Sequence, residues 1–547
     1  MNDNALLTVQ DLQIDFHDHQ TPETAVYDFD LTVFPGEIVG IVGESGAGKS
    51  LSALAVAGLL KRHSEIRAGN ILFEDEDLLH CGREILRSYQ GDEIAVIFQE
   101  PMSSLDPLMR VGLQVEESLV VHHPEIDAAE RKRRALEAIR SVGMEDAERV
   151  YSSYPHELSG GMRQRCMIAA AMIAEPKILI ADEPTTALDV TVQAQIIELL
   201  KRINREKRTA ILFISHDLSL VKQLCERVIV MKDGRIVEEG DTLRIFEHPK
   251  HAYTRELISA IPRVEKKEKQ AKDQDRDLLL AVSGLDAGYG RIPADNEAGK
   301  KRLFSLRADG RQILYDVSFS LHAGEILGLA GESGSGKSTL AKTILGMIPK
   351  LRGEIRWEKK SGAAMVFQDP YGSLNPAHTV GWILTEALTK GKRRNFPEDE
   401  KALHDRLVQS LEQVELPEAF LERRPSELSG GQRQRVAIAE ALISNPDVLI
   451  ADEPVSALDV TVQAQIITLL EKLREETGIA ILIIAHDLRV LYRICDRVLI
   501  MKKGRIVEQG NVEKIYFDPQ QPYTKELLRA AGIRTNGEPD MTNGSRM

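Results

Sequence analysis

The chain contains two copies of one long sequence pattern. Residues 178–197, ILIADEPTTALDVTVQAQII, match residues 448–467, VLIADEPVSALDVTVQAQII, at all but three positions. The phrases LSGGMRQR at 158–165 and LSGGQRQR at 428–435 recur at the same offset of 270 residues. Such a long period is that of a duplicated domain and not of a solenoid built from short units. The sequence therefore predicts two similar domains of about 260 residues each.

The boundaries of these domains follow from where the similarity stops. Residues 1–263 form the first predicted domain and residues 278–535 the second. Between them, VEKKEKQAKDQDRD (264–277) is charged and lacks apolar periodicity, which predicts an exposed linker. The polar stretch 536–547 predicts a disordered tail.

The second copy departs from the first in two places. Lys49 and Gln99 lie 50 residues apart, whereas Lys337 and Gln368 lie 31 residues apart. The 19 missing residues correspond to most of FEDEDLLHCGREILRSYQGDE, so we expect a strand–turn–helix piece to be absent from the second domain. A longer polar loop, RIPADNEAGKKRLFSLRADGRQ, stands near the start of the second copy.

Composition narrows the kinds of partner and compartment. The formal net charge of −14, from 70 Lys and Arg against 84 Asp and Glu, argues against nucleic acid as a partner. The four cysteines form no CxxC pair or Cys/His cluster, which indicates a reducing compartment without disulfides or structural zinc. The start, MNDNALLTVQ, does not resemble a signal peptide, and the apolar runs are shorter than a membrane span. We therefore expect a soluble chain that partner proteins hold at the membrane if it acts there.

Two glycine-rich stretches, GESGAGKS and GESGSGKS, follow strand-like apolar runs and precede helical patterns. Both match GxxxxGK[ST], in which backbone N–H groups face phosphate oxygens. Lys49 and Lys337 are predicted to reach the β- and γ-phosphates of a nucleotide. A plain strand–helix turn is the alternative, and two matches in the same context make it untenable. The predicted phosphate-binding residues are Gly43, Ser45, Gly46, Ala47, Gly48, Lys49 and Ser50 in the first copy, and Gly331, Ser333, Gly334, Ser335, Gly336, Lys337 and Ser338 in the second.

Two continuous apolar runs, KILIAD and DVLIAD, are typical of buried parallel strands. Each run is completed by a pair of acids, Asp182-Glu183 and Asp452-Glu453, and the carboxyl ends of parallel strands face the ligand crevice. We expect each aspartate to hold Mg²⁺ through water, together with the hydroxyl of Ser50 or Ser338, and each glutamate to polarise the attacking water. A helix N-cap role is the alternative for either acid.

The phrase LSGG opens a helix in each copy. MRQRCMIAAAMIAE and QRQRVAIAEALISN contain strong helix formers with apolar residues at helical spacing, and both patterns end near a proline. The free N–H groups, the helix dipole and the serine hydroxyl together favour an anion. Because each copy already has one phosphate site, a second one is useful only if it serves the nucleotide of the other copy.

These motifs together resemble the nucleotide-binding cassette of the ABC ATPases. The resemblance rests on GESGAGKS, LSGGMRQR, ILIADEP, TALD and the histidine after LFIS, all repeated in the second half, and it covers nearly the whole chain outside linker and tail. It implies two tandem P-loop NTPase domains of the α/β class. In each, a mainly parallel RecA-like sheet is joined by an antiparallel β subdomain and a helical subdomain. One chain then supplies both cassettes, which bind and hydrolyse ATP with Mg²⁺.

In that family, cassettes pack head to tail and each ATP lies between one P-loop and the opposite signature. The resemblance thus implies that Ser159, Gly160 and Gly161 serve the ATP held by Lys337. It likewise implies that Ser429, Gly430 and Gly431 serve the ATP held by Lys49. Both glutamates, both histidines, both signatures and both P-loops are intact, so we expect two hydrolytic sites.

Further roles follow from the resemblance by position. Gln99 and Gln368, in VIFQEP and MVFQDP, resemble the Q-loop glutamine that contacts Mg²⁺ and senses the attacking water. His216 and His486 resemble the switch histidine that contacts the γ-phosphate. A lone buried histidine is more often structural, but these two follow apolar strands at identical offsets.

Two more pairs are assigned in the same way. Asp189 and Asp459 resemble the D-loop aspartate, and Phe16 and Tyr289 stand where the aromatic residue that stacks on adenine is expected. For the aromatic pair, packing against a strand is the alternative. The duplicated Cys225 and Cys495 lie in apolar helical patterns and predict core packing.

Two stretches in each copy resemble the peptide/nickel importer branch, to which the fused ATPases of microcin-C-type and glutathione importers belong. FQEPMSSLDP and FQDPYGSLNP extend the Q-loop, and HPKHAYTRELISAIP and DPQQPYTKELLRAA follow the last predicted strand of each copy. The latter predict short amphipathic helices with Thr254 or Thr524 near their starts. Packing onto their own cassette and a direct role in binding are equally open for these helices.

The resemblance implies the ATPase subunit of an importer of peptides or a related small solute, on the cytoplasmic face of the inner (plasma) membrane. Two separate transmembrane permease subunits would dock in grooves beside Gln99 and Gln368, and an extracytoplasmic solute-binding protein would deliver the cargo. Some members of the branch carry a cysteine cluster after the segment that corresponds to YTRELI and YTKELL, suited to an iron–sulfur centre. This chain has no cysteine there, so no such centre is expected.

Two other functions remain as alternatives. A soluble tandem ABC ATPase acting on ribosomes or nucleic acid would need basic patches or a long helical linker, whereas this chain is acidic with a short linker. An exporter would usually carry fused membrane spans. The transported substrate itself is not encoded in the cassettes, because they never touch it.

Overall fold

The computed structural model describes residues 5–17, 23–60, 63–99, 104–186, 188–266, 276–290, 310–358, 362–390, 399–456 and 458–533. They form two units, one mainly within residues 1–261 and the other mainly within residues 262–547. The predicted tail (536–547), most of the predicted linker (264–277) and most of the polar loop near the start of the second copy lie outside the described residues.

The first unit contains a six-stranded sheet and a smaller antiparallel sheet. Its strands are β1 (Leu7–Phe16), β2 (Glu23–Val33), β3 (Ile38–Val42), β4 (Ser64–Phe73), β5 (Glu76–Asp77), β6 (Ile94–Ile97), β7 (Ile178–Asp182), β8 (Ala210–Ile214), β9 (Arg227–Lys232) and β10 (Arg235–Asp241). The large sheet has the order β10-β9-β3-β8-β7-β6, and all its pairs are parallel except β9–β10. Every residue of β3, β7 and β8 is buried, because the antiparallel sheet and a helix pack on one face of the large sheet and further helices pack on the other.

The helices of the first unit cover this sheet and form a separate helical layer. They are α1 (Lys49–Val56), α2 (Arg83–Tyr89), α3 (Val111–His122), α4 (Ala128–Ser141), α5 (Ala147–Ser152), α6 (Gly160–Met172), α7 (Val190–Lys207), α8 (Leu218–Leu224), α9 (Thr242–Glu247) and α10 (Ala252–Ala260). Val115 of α3, Ile139 of α4 and Ile168 of α6 are fully buried in one core cluster, which holds the helical layer together.

The second unit repeats this plan. Its strands are β11 (Leu278–Tyr289), β12 (Arg311–His322), β13 (Ile326–Ala330), β14 (Lys350–Trp357), β15 (Ala363–Val366), β16 (Val448–Asp452), β17 (Ala480–Ile484), β18 (Arg497–Lys502) and β19 (Arg505–Asn511). Its helices are α11 (Lys337–Ile344), α12 (Pro370–Ser373), α13 (Val380–Lys390), α14 (Glu400–Gln413), α15 (Gly430–Leu442), α16 (Val460–Thr477), α17 (Leu488–Ile494), α18 (Val512–Phe517) and α19 (Pro522–Ala530). The large sheet, β15-β16-β17-β13-β18-β19, has the strand order of the first unit.

The antiparallel sheets differ as the sequence predicts. In the first unit the order is β2-β1-β4-β5, and in the second it is β12-β11-β14. Strand β5 and helix α2 thus have no counterpart among the described residues of the second unit. The expected absence of a strand–turn–helix piece is confirmed, and the α/β fold with its two subdomains is found in both units.

The duplicated cysteines lie in the core, as predicted. Cys225 is 6% exposed and Cys495 is 1% exposed. A Cβ atom on Gly40 of β3 would lie 2.9 Å from the Cys225 sulfur, and one on Gly328 of β13 would lie 2.8 Å from the Cys495 sulfur. Each thiol therefore packs on the central strand where only glycine leaves room. Within the described ranges, no helix is both long and apolar enough to cross a bilayer.

Candidate active sites

Each P-loop connects the central strand of its sheet to a helix. Gly43 and Gly331, the first residues of the loops, have φ near 153° and 152°. A Cβ atom at either position would lie 2.2 Å from a backbone carbonyl oxygen, that of Met231 or Met501. Only glycine fits at these two positions, because the neighbouring strand, β9 or β18, lies directly beside the loop.

The remaining loop residues follow the same course in both units. Gly48 and Gly336 have positive φ and stand at the N-caps of α1 and α11. Between its first glycine and this N-cap glycine, each loop has two exposed residues followed by one buried residue. The exposed residues are Ser45, Gly46, Ser333 and Gly334, and the buried ones are Ala47 and Ser335. The free N–H groups at the start of each helix are donors that suit phosphate.

The P-loop lysines are buried and bonded to their own loops. Lys49 Nζ donates to the carbonyl oxygens of Gly43 at 2.9 Å and Glu44 at 2.7 Å. Lys337 Nζ donates to those of Gly331 at 2.8 Å and Glu332 at 3.0 Å. Burial lowers the pKa of both ammonium groups, and the carboxylates at the end of the adjacent strand oppose this shift. The hydrogen-bond acceptors of both ammonium groups are neutral carbonyl oxygens. A polyphosphate would give each of them a negatively charged acceptor.

The aspartates at the ends of β7 and β16 are buried beside the P-loop serines. Ser50 Oγ donates to Asp182 Oδ1 at 2.8 Å. Burial raises the pKa of Asp182 and of Asp452, and a hydrogen bond from Ser50 or Ser338 opposes that shift. Among the described residues, Asp452 Oδ1 has no hydrogen-bond partner although it is buried. A hydroxyl and an unpaired carboxylate oxygen fit a hydrated Mg²⁺ ion, a hard cation that prefers oxygen ligands.

In the first unit, Glu183 lies at the centre of a hydrogen-bonded group. Its Oε2 atom accepts from Gln99 Nε2 at 2.9 Å and from Thr186 Oγ1 at 2.9 Å, and it lies 3.2 Å from His216 Nδ1. Burial acts to raise the pKa of Glu183, but the hydrogen bond and charge of His216 outweigh it and lower that pKa to about 2. Burial acts to lower the pKa of His216, but the Glu183 carboxylate raises it overall.

The second unit brings together the equivalent residues through a different ring nitrogen. Gln368 Nε2 donates to Glu453 Oε2 at 2.5 Å, and His486 Nε2 lies 2.5 Å from Glu453 Oε1. His486 Nδ1 is buried and has no hydrogen-bond partner in the described part of the chain. Glu183 and Glu453 have φ of 46° and 54°, a left-handed conformation that is costly for glutamate. The backbone of each therefore turns so that the carboxylate faces glutamine and histidine.

The signature phrases open helices as expected. Ser159 and Ser429 are the N-caps of α6 and α15, and each hydroxyl accepts from the backbone N–H three residues on, at 3.3 Å. In the second unit, Gln432 also accepts from the N–H of Ser429, which completes a capping box; methionine stands at this position in the first unit. Gly160 and Gly430 have room for a methyl group, with nearest atoms at 3.9 Å and 3.5 Å.

The second signature glycines are needed for packing. A Cβ atom on Gly161 would lie 2.8 Å from Val192 Cγ1, and one on Gly431 would lie 2.4 Å from Val462 Cγ1. The approach of the following long helix therefore explains why each phrase carries two glycines and not one.

The other predicted residues are placed as follows. Asp189 and Asp459 each accept a hydrogen bond from a threonine two residues on, Thr191 at 2.6 Å or Thr461 at 2.9 Å. Phe16 and Tyr289 end strands β1 and β11 with 37% and 49% of their surfaces exposed. These exposed fractions argue against core packing for the two aromatic rings.

Sequence reasoning missed one pair of residues in contact with the P-loops. Tyr253 in α10 and Tyr523 in α19 accept hydrogen bonds at their hydroxyl oxygens from the backbone N–H groups of Glu44 and Glu332. The only signal was the duplicated segment around YTRELI and YTKELL. Packing of this segment onto its own unit, one of the two open alternatives, is what the structure shows.

Comparison with known proteins agrees with this geometry. A family model described as ABC transporter matches residues 26–186 and 314–456, and one described as Oligopeptide/dipeptide transporter, C-terminal region, matches residues 237–283. The chain is 41% identical to the peptidoglycan transport ATP-binding protein YejF of Agrobacterium fabrum over 97% of both chains. It is 40% identical to the glutathione import ATP-binding protein GsiA of Pectobacterium atrosepticum, covering 96% of this chain and 90% of that protein.

Among solved structures, the RNase-L inhibitor matches 96% of this chain with a TM-score of 0.60 at 20% identity. The archaeal ribosome recycling factor aABCE1, solved with a ribosomal stalk protein, matches 92% with a TM-score of 0.59 at 20% identity. At this level of identity, both structures support the tandem fold alone.

Proposed function

This chain belongs to the ABC transporter ATPases, and from that premise we propose that it drives an importer of peptides or a related small solute. Its two cassettes are assigned to residues 1–263 and 278–535. The observation that carries the proposal is the repeated active-site group. In each unit, a glutamate that is partly buried (Glu183) or buried (Glu453) contacts a glutamine and a histidine at the carboxyl end of a parallel sheet, next to a P-loop.

ATP would bind with its β- and γ-phosphates on the N–H groups that open α1 and α11. Lys49 and Lys337 would move from their loop carbonyls to the phosphate oxygens, since a charged partner outcompetes a neutral one. Mg²⁺ would be held by Ser50 and Asp182, or Ser338 and Asp452, and would neutralise the phosphate charge. Glu183 and Glu453 would accept the proton of the attacking water, while the glutamine and histidine beside each orient it.

Import rather than another use of ATP is supported by the kinds of protein that the chain resembles. Two of the relatives, 41% and 40% identical, are named for peptidoglycan transport and for glutathione import. The match to the oligopeptide/dipeptide C-terminal region points to the same class of cargo. A solute with peptide bonds is common to these names, and we propose a peptide or peptide-like molecule as the cargo.

Docking to membrane permeases is supported by apolar side chains that are exposed near both Q-loop glutamines. Phe98 and Phe367, which precede Gln99 and Gln368, are 42% and 37% exposed. Leu108 is 87% exposed, and Trp382 is 41% exposed. Exposed apolar groups concentrated in equivalent segments are typical of interaction sites. We propose that two permeases bind there and hold the chain on the cytoplasmic face of the membrane, with cargo delivered by an extracytoplasmic binding protein.

Affinity purification from detergent-solubilised native membranes tests this proposal. We expect two multi-span proteins to co-purify in stoichiometric amounts, and Leu108→Asp to reduce their recovery severalfold because it places a charge at an apolar contact. Leu243→Asp is the matched control, since Leu243 is 59% exposed elsewhere in the same unit. Recovery of ribosomal proteins or nucleic acid without permeases would overturn the import assignment and leave the ATPase assignment.

We further propose, on the family resemblance, that each signature serine serves the ATP bound by the other half. Lys49 and Ser429 would then act on one ATP, and Lys337 and Ser159 on the other. Adding Ser429→Arg to Lys49→Met is therefore expected to change ATP hydrolysis little, whereas adding Ser159→Arg to Lys49→Met removes the remaining activity. Two substitutions that disable the same ATP site do not add in their effect on hydrolysis, whereas two that disable separate sites do. The reverse pattern would assign each signature to its own P-loop.

A further inference from the structure

Helices α10 and α19, here called the tail helices, contact the P-loops of their own units in the same way. Tyr253, in the first turn of α10, accepts a hydrogen bond at its hydroxyl from the Glu44 N–H at 2.9 Å. Tyr523, in the first turn of α19, accepts one from the Glu332 N–H at 3.2 Å. The tyrosines are 3% and 6% exposed. Since the contact occurs twice, in units whose P-loops differ in sequence, it is a feature of the fold.

The N–H group that each tyrosine holds belongs to a particular peptide unit. The Glu44 N–H and the Gly43 carbonyl share one planar peptide group, so they can only rotate together. The Gly43 carbonyl oxygen accepts from Lys49 Nζ at 2.9 Å. In the second unit, the Gly331 carbonyl accepts from Lys337 Nζ at 2.8 Å, while the Glu332 N–H donates to Tyr523. Each tyrosine hydroxyl therefore fixes the orientation of the peptide that holds the catalytic lysine.

This peptide unit needs an external support. Gly43 and Gly331 lie at φ near 153° and 152°, where glycine has wide conformational freedom. A glycine peptide without a partner on its N–H side is free to rotate, and rotation moves the carbonyl away from the lysine. The tyrosine supplies that partner from a helix more than 190 residues away in sequence: the separations are 209 and 191 residues.

The tyrosines are themselves held in place. Lys232 Nζ lies 4.7 Å from the centre of the Tyr253 ring, and Lys502 Nζ lies 4.1 Å from that of Tyr523. Just before α10, the carboxylate of Glu238 accepts from the N–H groups of Lys250 and His251, at 2.8 Å and 3.0 Å.

The carboxylate of Glu508 has the same role before α19 that Glu238 has before α10. It accepts hydrogen bonds from the N–H groups of Gln520 and Gln521 at 2.7 Å and 3.2 Å. Burial raises the pKa of Tyr253, and that of Tyr523 to about 12, so both hydroxyls stay protonated at neutral pH. Each tail helix thus begins at a fixed place on its own unit.

We propose that Tyr253 and Tyr523 are positioning residues of the ATP sites: through the first peptide of the P-loop, each sets the loop geometry that binds the β- and γ-phosphates. The inference rests on the P-loops binding ATP and does not depend on the cargo or the permeases. It gives the tail segment a role in nucleotide affinity in addition to packing.

The test is the full-length double variant Tyr253→Phe/Tyr523→Phe, which removes both hydroxyls and keeps both rings. We expect the KM for ATP to rise about two- to tenfold, the range for one lost hydrogen bond per site, while kcat changes less than about twofold. The matched control is Tyr151→Phe/Tyr492→Phe. It removes hydroxyls that donate to Glu116 at 2.6 Å and to Glu513 at 2.9 Å, both away from the P-loops.

The control separates positioning from structural support. Both double variants are expected to lose thermal stability, but only the Tyr253/Tyr523 pair raises KM. If the wild-type enzyme hydrolyses ATP and the Tyr253→Phe/Tyr523→Phe variant has an unchanged KM, the inference is overturned. An equal rise of KM in the control variant, or a fall in kcat alone, would also overturn it. A wild-type chain that neither binds nor hydrolyses ATP would instead contradict the proposed function.

Discussion

Replacing both Glu183 and Glu453 with glutamine is expected to abolish ATP hydrolysis while ATP still binds. Glutamine keeps the shape of each side chain and its contacts with Gln99 or Gln368, but it cannot accept a proton from water. Loss of a general base typically lowers the rate by a factor of about 10² to 10⁴. Phosphate release at saturating ATP measures the rate, and equilibrium binding of Mg²⁺-ATP measures the affinity.

The single variants test whether both sites turn over. Each of Glu183→Gln and Glu453→Gln is expected to lose at least about half of the hydrolysis rate, because each carboxylate has its own glutamine and histidine. Glu198→Gln serves as the control, since Glu198 is an exposed carboxylate on α7 that forms an ion pair with Lys201. Unchanged turnover in either single variant would mean that this site does not hydrolyse ATP.

Gly43→Ala is expected to disable the first P-loop, whereas Gly46→Ala in the same loop is expected to be tolerated. The new methyl group at position 43 would lie 2.2 Å from the Met231 carbonyl oxygen, and the backbone there has φ near 153°. At position 46, no atom lies within 4 Å of the added Cβ atom. Overpacking and backbone strain together are expected to cost about 2–5 kcal/mol at position 43 and about 1 kcal/mol at position 46.

The readouts are nucleotide affinity and thermal stability of the full chain. Gly331→Ala and Gly334→Ala provide the same comparison in the second unit, where the distances are 2.2 Å and no contact within 4 Å. We expect at least about a tenfold loss of ATP affinity for the first member of each pair, the factor that corresponds to 1.4 kcal/mol. Equal ATP affinities for Gly43→Ala and Gly46→Ala would show that strand β9, which contains Met231, can shift to make room for the methyl group. The first glycine would then not be required for packing.

Much of the fold was predictable because local patterns carry it. The apolar runs that end in Asp-Glu become the buried strands β7 and β16, and the phrases LSGG begin helices at Gly160 and Gly430. Among its described residues, the shortened second copy has no counterpart of β5 and α2, as the spacing between lysine and glutamine predicts. These features depend on periodicity, helix caps and chain length, which are visible within short windows of sequence.

For contacts between distant segments, the sequence predicted which residues take part but not their geometry. The sequence indicated that glutamate, glutamine and histidine act together, but not that His216 faces Glu183 through Nδ1 while His486 faces Glu453 through Nε2. It also did not reveal the left-handed backbone at Glu183. Ring orientation and backbone conformation at such positions depend on the neighbouring strands and loops, which a window of sequence does not contain.

The sequence by itself determined the duplication, the two sets of nucleotide-binding motifs and the class of chemistry, because each depends on residue type and spacing. Only the tertiary structure decided what each motif touches. It placed the hydroxyl of Tyr253 on the Glu44 N–H and the Met231 carbonyl beside Gly43. The physical reason is that a P-loop is made of flexible glycines whose conformation is set by surrounding strands and helices, and those elements are separated from it by up to about two hundred residues.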